Sequence, residues 1–206
     1  MFKHQFESYW QQFSNHLMLT DTHSKALLHL LLDAYSEPQR HYHTIQHIVE
    51  CLAFFHQIKN QLNDPIAVEL AIWFHDAIYN PQAIDNEEKS AELMEQYCSQ
   101  LFEKAQLQKV YEWIIATKKH SPAIDQDLNY LLDIDLAILG SSKRRFAEYE
   151  QQIQQEYSWV DADLYRVKRA EVLNYFFEMK PLYQTEYFRD LLEEQAKNNL
   201  TSSLRK

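Results

Sequence analysis

The sequence predicts an all-α protein, and three observations predict it. There is one glycine in 206 residues, Gly140. The five prolines, Pro38, Pro65, Pro81, Pro122 and Pro181, are widely spaced. Between these breaks apolar residues recur at helical rather than alternating intervals. A β-rich chain would need more turn glycines and more alternation than this. Taken in order, a first helix at about 2–19 carries Phe6, Trp10, Phe13 and Leu17, and a second at 22–35 holds the apolar run ALLHLLLDAY. A third, at 42–60, repeats Ile45, Ile48, Leu52, Phe55 and Ile58 on one face. The fourth, 65–79, opens with Asn63-Asp64-Pro65, an acidic cap with proline at the first helical position. Asp85-Asn86-Glu87-Glu88 places acceptors and negative charge at the start of a fifth, 86–101. The sixth, 104–119, has Val110, Trp113, Ile114 and Thr117 in register, and the seventh, 125–139, runs apolar to Gly140. Leu139-Gly140-Ser141-Ser142 reads as a glycine stop followed by a serine cap for an eighth helix, 142–157; two more follow at 160–179 and 184–200. No internal repeat, low-complexity linker or domain boundary is evident, so residues 1–206 are expected to form one compact helical domain of about ten helices.

Composition narrows the function classes. Hydrophobic residues make up 46% and charged residues 24%, the mixture of a folded globular chain. Thirty acidic against 20 basic residues give a formal charge of −10, which repels nucleic-acid backbones and anionic membranes. A small anionic substrate stays open, because a bound divalent cation inverts the local field. Cys51 and Cys98 form no CxxC pair and no disulfide framework. The opening MFKHQFESYWQQF lacks a signal-peptide pattern and no run approaches the ~18 apolar residues of a membrane span, so the expected location is the cytoplasm. Aromatics on NYFFEMKPLYQTEYF leave a homodimer open.

Three segments carry chemistry. His41, His43 and His47 fall within seven residues, and on a helix starting near residue 42 His43 and His47 share a face; a solvated histidine-rich helix start is the other reading. In LAIWFHDAIY, His75 and Asp76 interrupt a stretch that is hydrophobic on nearly every side, so the pair is expected to be buried. An unpaired buried carboxylate costs roughly several kcal/mol and finds a cation or neutralises. Adjacent helical side chains diverge by ~100° and pair poorly with each other, yet both can reach one metal; a plain ion pair elsewhere is the alternative. In DLNYLLDIDLAILG, Asp133 and Asp135 point to different sides of an apolar helix. Imidazoles with carboxylates suit Mn²⁺, Fe, Co²⁺, Ni²⁺, Zn²⁺ or, more weakly, Mg²⁺.

In order, RHYHTIQHI, AIWFHDAIYN, DNEEKSAELM, IIATKKH and LLDIDLAILG resemble the HD superfamily of metal-dependent phosphohydrolases, in particular its small, poorly characterised predicted hydrolases. QQEYSWV, RAEVLNYFF and EEQAKNNL extend the likeness towards the C-terminus. Gln154 and Lys197 depart from it, standing where a basic residue and an arginine are frequent. The resemblance implies a helical domain with a divalent metal held by His47, His75, Asp76 and Asp135, Asp133 being the second choice for the last place. Where such proteins hold two metals the aspartate of the HD pair bridges them; here His120, His43 and Asp133 are the candidates for a second metal or for contacts behind the first. His120 reads equally as a helix-end histidine before Ser121-Pro122.

The implied activity is hydrolysis of a phosphate ester or anhydride in a small, nucleotide-like metabolite. Asp76 would orient or deprotonate the attacking water, and Arg40, Lys118 and Lys119 would meet the phosphate unless they are ordinary surface charges. Glu87 could reach the site or simply cap its helix. A di-iron oxygenase built on the same ligands, and a non-catalytic metal-binding regulatory module, are the competing readings.

Overall fold

Helix starts follow local capping chemistry. The side chains of Thr20, Thr44, Asp64, Asp125, Ser142, Asp161 and Thr185 each accept a backbone N–H two or three residues ahead, satisfying donors that a helix leaves open. The computed structural model describes residues 1–205 and is all-α, with ten α-helices and no strand among the described residues. The chain divides into two compact units, Met1–Ser121 and Pro122–Lys206.

The first unit holds α1 (Phe2–His16), α2 (Asp21–Ala34), α3 (Ile45–Ile58), α4 (Pro65–Phe74), α5 (Asn86–Cys98) and α6 (Lys104–Ala116), with a 3₁₀ turn at Lys59–Gln61. Helix α4 is its centre, because PIAVELAIWF is apolar at every position but Glu69 and seven of its ten residues are buried. It packs against α3, α5 and α6. Its Trp73 ring meets Phe6 edge-on at 4.8 Å and Trp10 at 5.2 Å, so the predicted α1 stripe lands on the core of the unit.

The second unit holds α7 (Gln126–Asp135), a 3₁₀ turn at Leu136–Gly140, α8 (Lys143–Glu156), α9 (Ala162–Glu178) and α10 (Glu186–Leu204). The 3₁₀ turn lies against α10, and its carbonyls are capped there: Asn199 Nδ2 donates to Leu139 and Ser141, and Tyr183 Oη donates to Leu136. Gly140 does not have the left-handed conformation of a helix-stop glycine. It is needed for close approach: a Cβ there would sit 2.6 Å from Leu192 Cβ and 2.9 Å from the Leu192 carbonyl. Lys197, where the resemblance favours arginine, donates to the carbonyls of Phe176, Phe177 and Met179 and so closes the C-terminal end of α9. No described helix is long and apolar enough to cross a membrane.

Three of the differences between expected and observed helix bounds touch the candidate residues. The third starts at Ile45, so His43 lies in the turn before the Thr44 cap. The fourth stops at Phe74, so His75 and Asp76 occupy its exit turn. The seventh stops at Asp135 and tightens into the 3₁₀ turn.

Candidate metal centre

The exit of α4 is built by capturing its last carbonyls one by one. His75 N–H bonds Ala71 O at 2.8 Å, His75 Nδ1 lies 2.9 Å from Ile72 O, and Tyr35 Oη donates to Trp73 O at 2.9 Å. Arg40 then donates from Nη1 to Asp76 O at 2.7 Å and from Nη2 to Ala77 O at 3.0 Å. Ser90 Oγ binds Ile78 O and Gln39 Nε2 binds Tyr79 O. A chain that would continue as an apolar helix is thereby bent so that both side chains of the HD pair face α3.

There they meet His47 from the first turn of α3. His47 Nε2 and His75 Nε2 are 3.1 Å apart, and Asp76 Oδ2 is 3.1 Å from His75 Nε2 and 3.3 Å from His47 Nε2. Both imidazoles are buried, and the Asp76 side chain is 19% exposed, which leaves the cluster one open side.

The protonation pattern shows why this triangle suits a cation. Ile72 O can only accept, so His75 Nδ1 carries a proton and Nε2 is the nitrogen turned towards the cluster. That nitrogen faces a second imidazole nitrogen and a carboxylate oxygen. Burial pushes the Asp76 carboxyl up, but the imidazoles of His75, His43 and His47 outweigh it and hold the group well below the usual carboxylate range. Acceptors gathered this closely repel unless a proton or a cation lies among them. At bond lengths of ~2.0–2.1 Å, ligand atoms sit roughly 2.9 Å apart in an octahedron and roughly 3.3 Å apart in a tetrahedron. The three observed separations fall in that interval, so the buried His47–His75–Asp76 group could hold a metal ion. The His75 Nδ1–carbonyl bond is the orienting contact such ligands commonly have.

The other nominated residues are placed as follows. Arg40, expected to meet a phosphate, has a fully buried side chain that grips Glu37 Oε2 and the carbonyls of His43, Asp76 and Ala77, with its guanidinium against the rings of Tyr35 and Tyr79. Its donors are taken up by three carbonyls and by the Glu37 carboxylate, and they fix the HD turn. His43 does not share a helix face with His47; its ring stacks on Tyr79 at 4.2 Å and lies 6.0 Å from the His47 ring. Lys118, the other expected phosphate contact, donates to Ile84 O and to both oxygens of Glu88, with Glu87 at 3.5 Å. Glu87 lies in the first turn of α5, in that charge cluster. His120 follows α6 in the left-handed region, with its N–H on Ala116 O, a helix-end position.

Two aspartates belong to the second unit. Asp133 is buried and accepts from the N–H of Gln184, the N–H of Thr185 and Thr185 Oγ1, bonds that pin the loop ahead of α10; burial still pushes it up to about 6. Its oxygens thus have a structural use. Asp135 is the last residue of α7 and is half-buried.

Sequence reasoning missed Tyr35, Gln39, Tyr79 and Ser90, which orient the HD turn, and Cys51, whose Sγ lies 3.7 Å from His47 Nδ1. Only Cys51 left a signal, standing one helical turn after His47. Compared with models of protein families, with characterised proteins and with solved structures, the chain matches none, so what the centre does is read from its own chemistry.

Proposed function

We propose that this protein is an HD-type, metal-dependent phosphohydrolase acting on a phosphate ester or anhydride of a small, nucleotide-like metabolite, with His47, His75, Asp76 and Asp135 as ligands of one divalent ion. The observation that carries the reading is the triangle of His47 Nε2, His75 Nε2 and Asp76 Oδ2, three ligand atoms 3.1–3.3 Å apart on a buried turn held in place by Arg40. Asp135, a half-buried carboxylate in an apolar segment, is the fourth ligand of this proposal. Mn²⁺, Fe²⁺, Co²⁺, Ni²⁺ and Zn²⁺ suit two imidazoles with carboxylates, and Mg²⁺ suits them less.

When bound, such an ion supplies a water of lowered pKa and neutralises charge on phosphoryl oxygens. The chain's own contributions are positional. His75 Nδ1–H bonds Ile72 O, which orients the ring with Nε2 towards the cluster as a ligand atom. Asp76 remains ionised, and its second oxygen can orient the attacking water and accept its proton. With Arg40 and Lys118 engaged elsewhere in the fold, the substrate's phosphoryl charge falls to the cation, which also offsets the chain's formal charge of −10.

The test is elemental analysis of protein purified without chelator or histidine tag, followed by a screen of phosphorylated metabolites, for wild type and Asp76→Ala together. About one equivalent of a transition metal with phosphate release, both lost in the variant, is the expected result. Two equivalents of iron with oxygen consumption would replace this reading by an oxygenase, and metal without turnover of any substrate by a binding module.

A further inference from the structure

Helix α4 carries one ionisable side chain, Glu69, and a carboxyl group in an otherwise apolar helix calls for a partner there as much as at the HD turn. Asp76 has the imidazoles around it. Glu69 has no such company: among the described residues no ion pair reaches it, and its neighbour is the Trp73 indole one turn ahead. It lines a cavity of about 360 Å³ beside the N-terminal half of α4, away from the HD turn. Helix α1, the end of α3 and the 3₁₀ turn that follows it supply the other sides. Phe13, Phe55 and Ile66 form apolar walls, the two rings being buried.

The polar groups of the cavity define its occupant. Glu69 is an acceptor without a cation. His56 of α3 is a second acceptor: burial, and after it Lys59, hold its ring below the ordinary imidazole value and favour the neutral form, and its Nε2 is buried with no hydrogen-bond partner. The other titratable groups of the lining, His16 of α1 and Lys59 of the 3₁₀ turn, are exposed. Lys59 draws the Glu69 carboxyl down without pairing with it, so burial prevails and pushes the group up to about 7. The volume falls within the range of about 300–1,000 Å³ that small-molecule sites occupy. An ammonium leaving water needs a counter-charge, acceptors for its N–H groups and, where available, aromatic faces, and this cavity offers all three. An anion would meet the Glu69 carboxylate and no buried cation, and a purely apolar molecule would cover Glu69 and His56 unpaired.

We propose that this cavity binds a small organic ammonium, with Glu69 as its counter-ion, His56 as a second acceptor and Phe13 and Phe55 as its walls. The charged end lies against α4 and the apolar body fills the space towards the rim. Binding is linked to a proton, because the ammonium selects the ionised carboxylate. Below pH 7 complex formation releases the Glu69 proton to solvent, and affinity rises about 10-fold between pH 6 and pH 8.

Isothermal titration of the full chain with n-butylammonium and phenethylammonium tests this, with the matching alcohols and phenylacetate as probes of the same apolar bodies. Both amines bind the wild type at least ~10-fold more tightly than their alcohols, and phenylacetate does not bind. In Glu69→Gln the preference for amine over alcohol disappears, and the dependence on pH disappears with it. Glu69→Asp, which keeps the charge but draws it back by one methylene, retains the preference at lower affinity. Circular dichroism like that of the wild type establishes that each variant folds. Amines that fail to bind at millimolar concentration, an alcohol that binds as tightly as its amine, or a Glu69→Gln chain that keeps the preference would each overturn the proposal. The outcome is independent of whether the centre at Asp76 binds metal.

Discussion

Glu69 stands on α4 about two turns before His75 and is half-buried beside the Trp73 indole. Burial drives its carboxyl up to about 7, against weaker opposing pulls from Trp73 and Lys59. A folded-state pKa above the unfolded value means that the folded chain holds the proton longer. The group's favourable contribution is complete below about 4.5 and is lost as the pH rises through 7. Glu69→Gln removes the ionised form, so the variant should be more stable than wild type at pH 8, by ~2 kcal/mol, and equal to it near pH 5. Urea unfolding at both pH values checks this, and an equal shift at both would show that burial is not the cause. Arg40 is the second residue whose consequence is direct. Arg40→Lys keeps the charge but loses the fork that holds Asp76 O, Ala77 O and His43 O. Metal affinity measured by isothermal titration should fall by about 10- to 100-fold although no ligand is touched. Unchanged affinity would mean that the HD turn holds its shape without Arg40.

At the scale of helices, what could be read in advance divides by range. Starts were legible because caps are local: Asp64-Pro65 and Ser142 act within three residues of themselves. The apolar stripes of α1, α3 and α6 were legible because periodicity is local too, and Phe6, Leu52 and Trp113 are buried as predicted. Ends were less legible, because they depend on partners far along the chain. The stop of α4 is made by Tyr35 and Arg40, more than thirty residues earlier, which no pattern around Phe74 announces. The same ignorance misplaced His43 on a helix. The HD pair was nonetheless visible, because two ionisable residues inside an apolar run need a reason wherever the helix ends. Gly140 was read as a stop, yet the constraint comes from α10 across the unit. Gly140→Ala should therefore destabilise by about 1–3 kcal/mol in urea unfolding, since the Cβ meets Leu192 backbone as well as its side chain. A neutral or stabilising effect would show that α10 gives way there.

For the molecule as a whole, metal and stability are linked, and the linkage separates the ligands from one another. An ion that binds only the folded chain stabilises it by about 2.7 kcal/mol at a hundred times its dissociation constant. For a chain of 206 residues that raises the melting temperature by roughly 5–10 °C. Wild type stripped by a chelator and reloaded with Mn²⁺, Co²⁺, Ni²⁺ or Zn²⁺ should show this rise in differential scanning calorimetry, and His75→Ala and Asp76→Ala should not. If Asp135 is the fourth ligand as proposed, Asp135→Asn should show a smaller rise than wild type, while the His47–His75–Asp76 triangle remains. A full-sized rise in Asp135→Asn would remove Asp135 from the ligand set and leave the other three in place. The rise should also shrink as the pH falls, because protons compete with the ion for the ligand atoms. A rise that persists at pH 5 and in Asp76→Ala would place the stabilising ion elsewhere on the acidic surface and sever it from the HD turn.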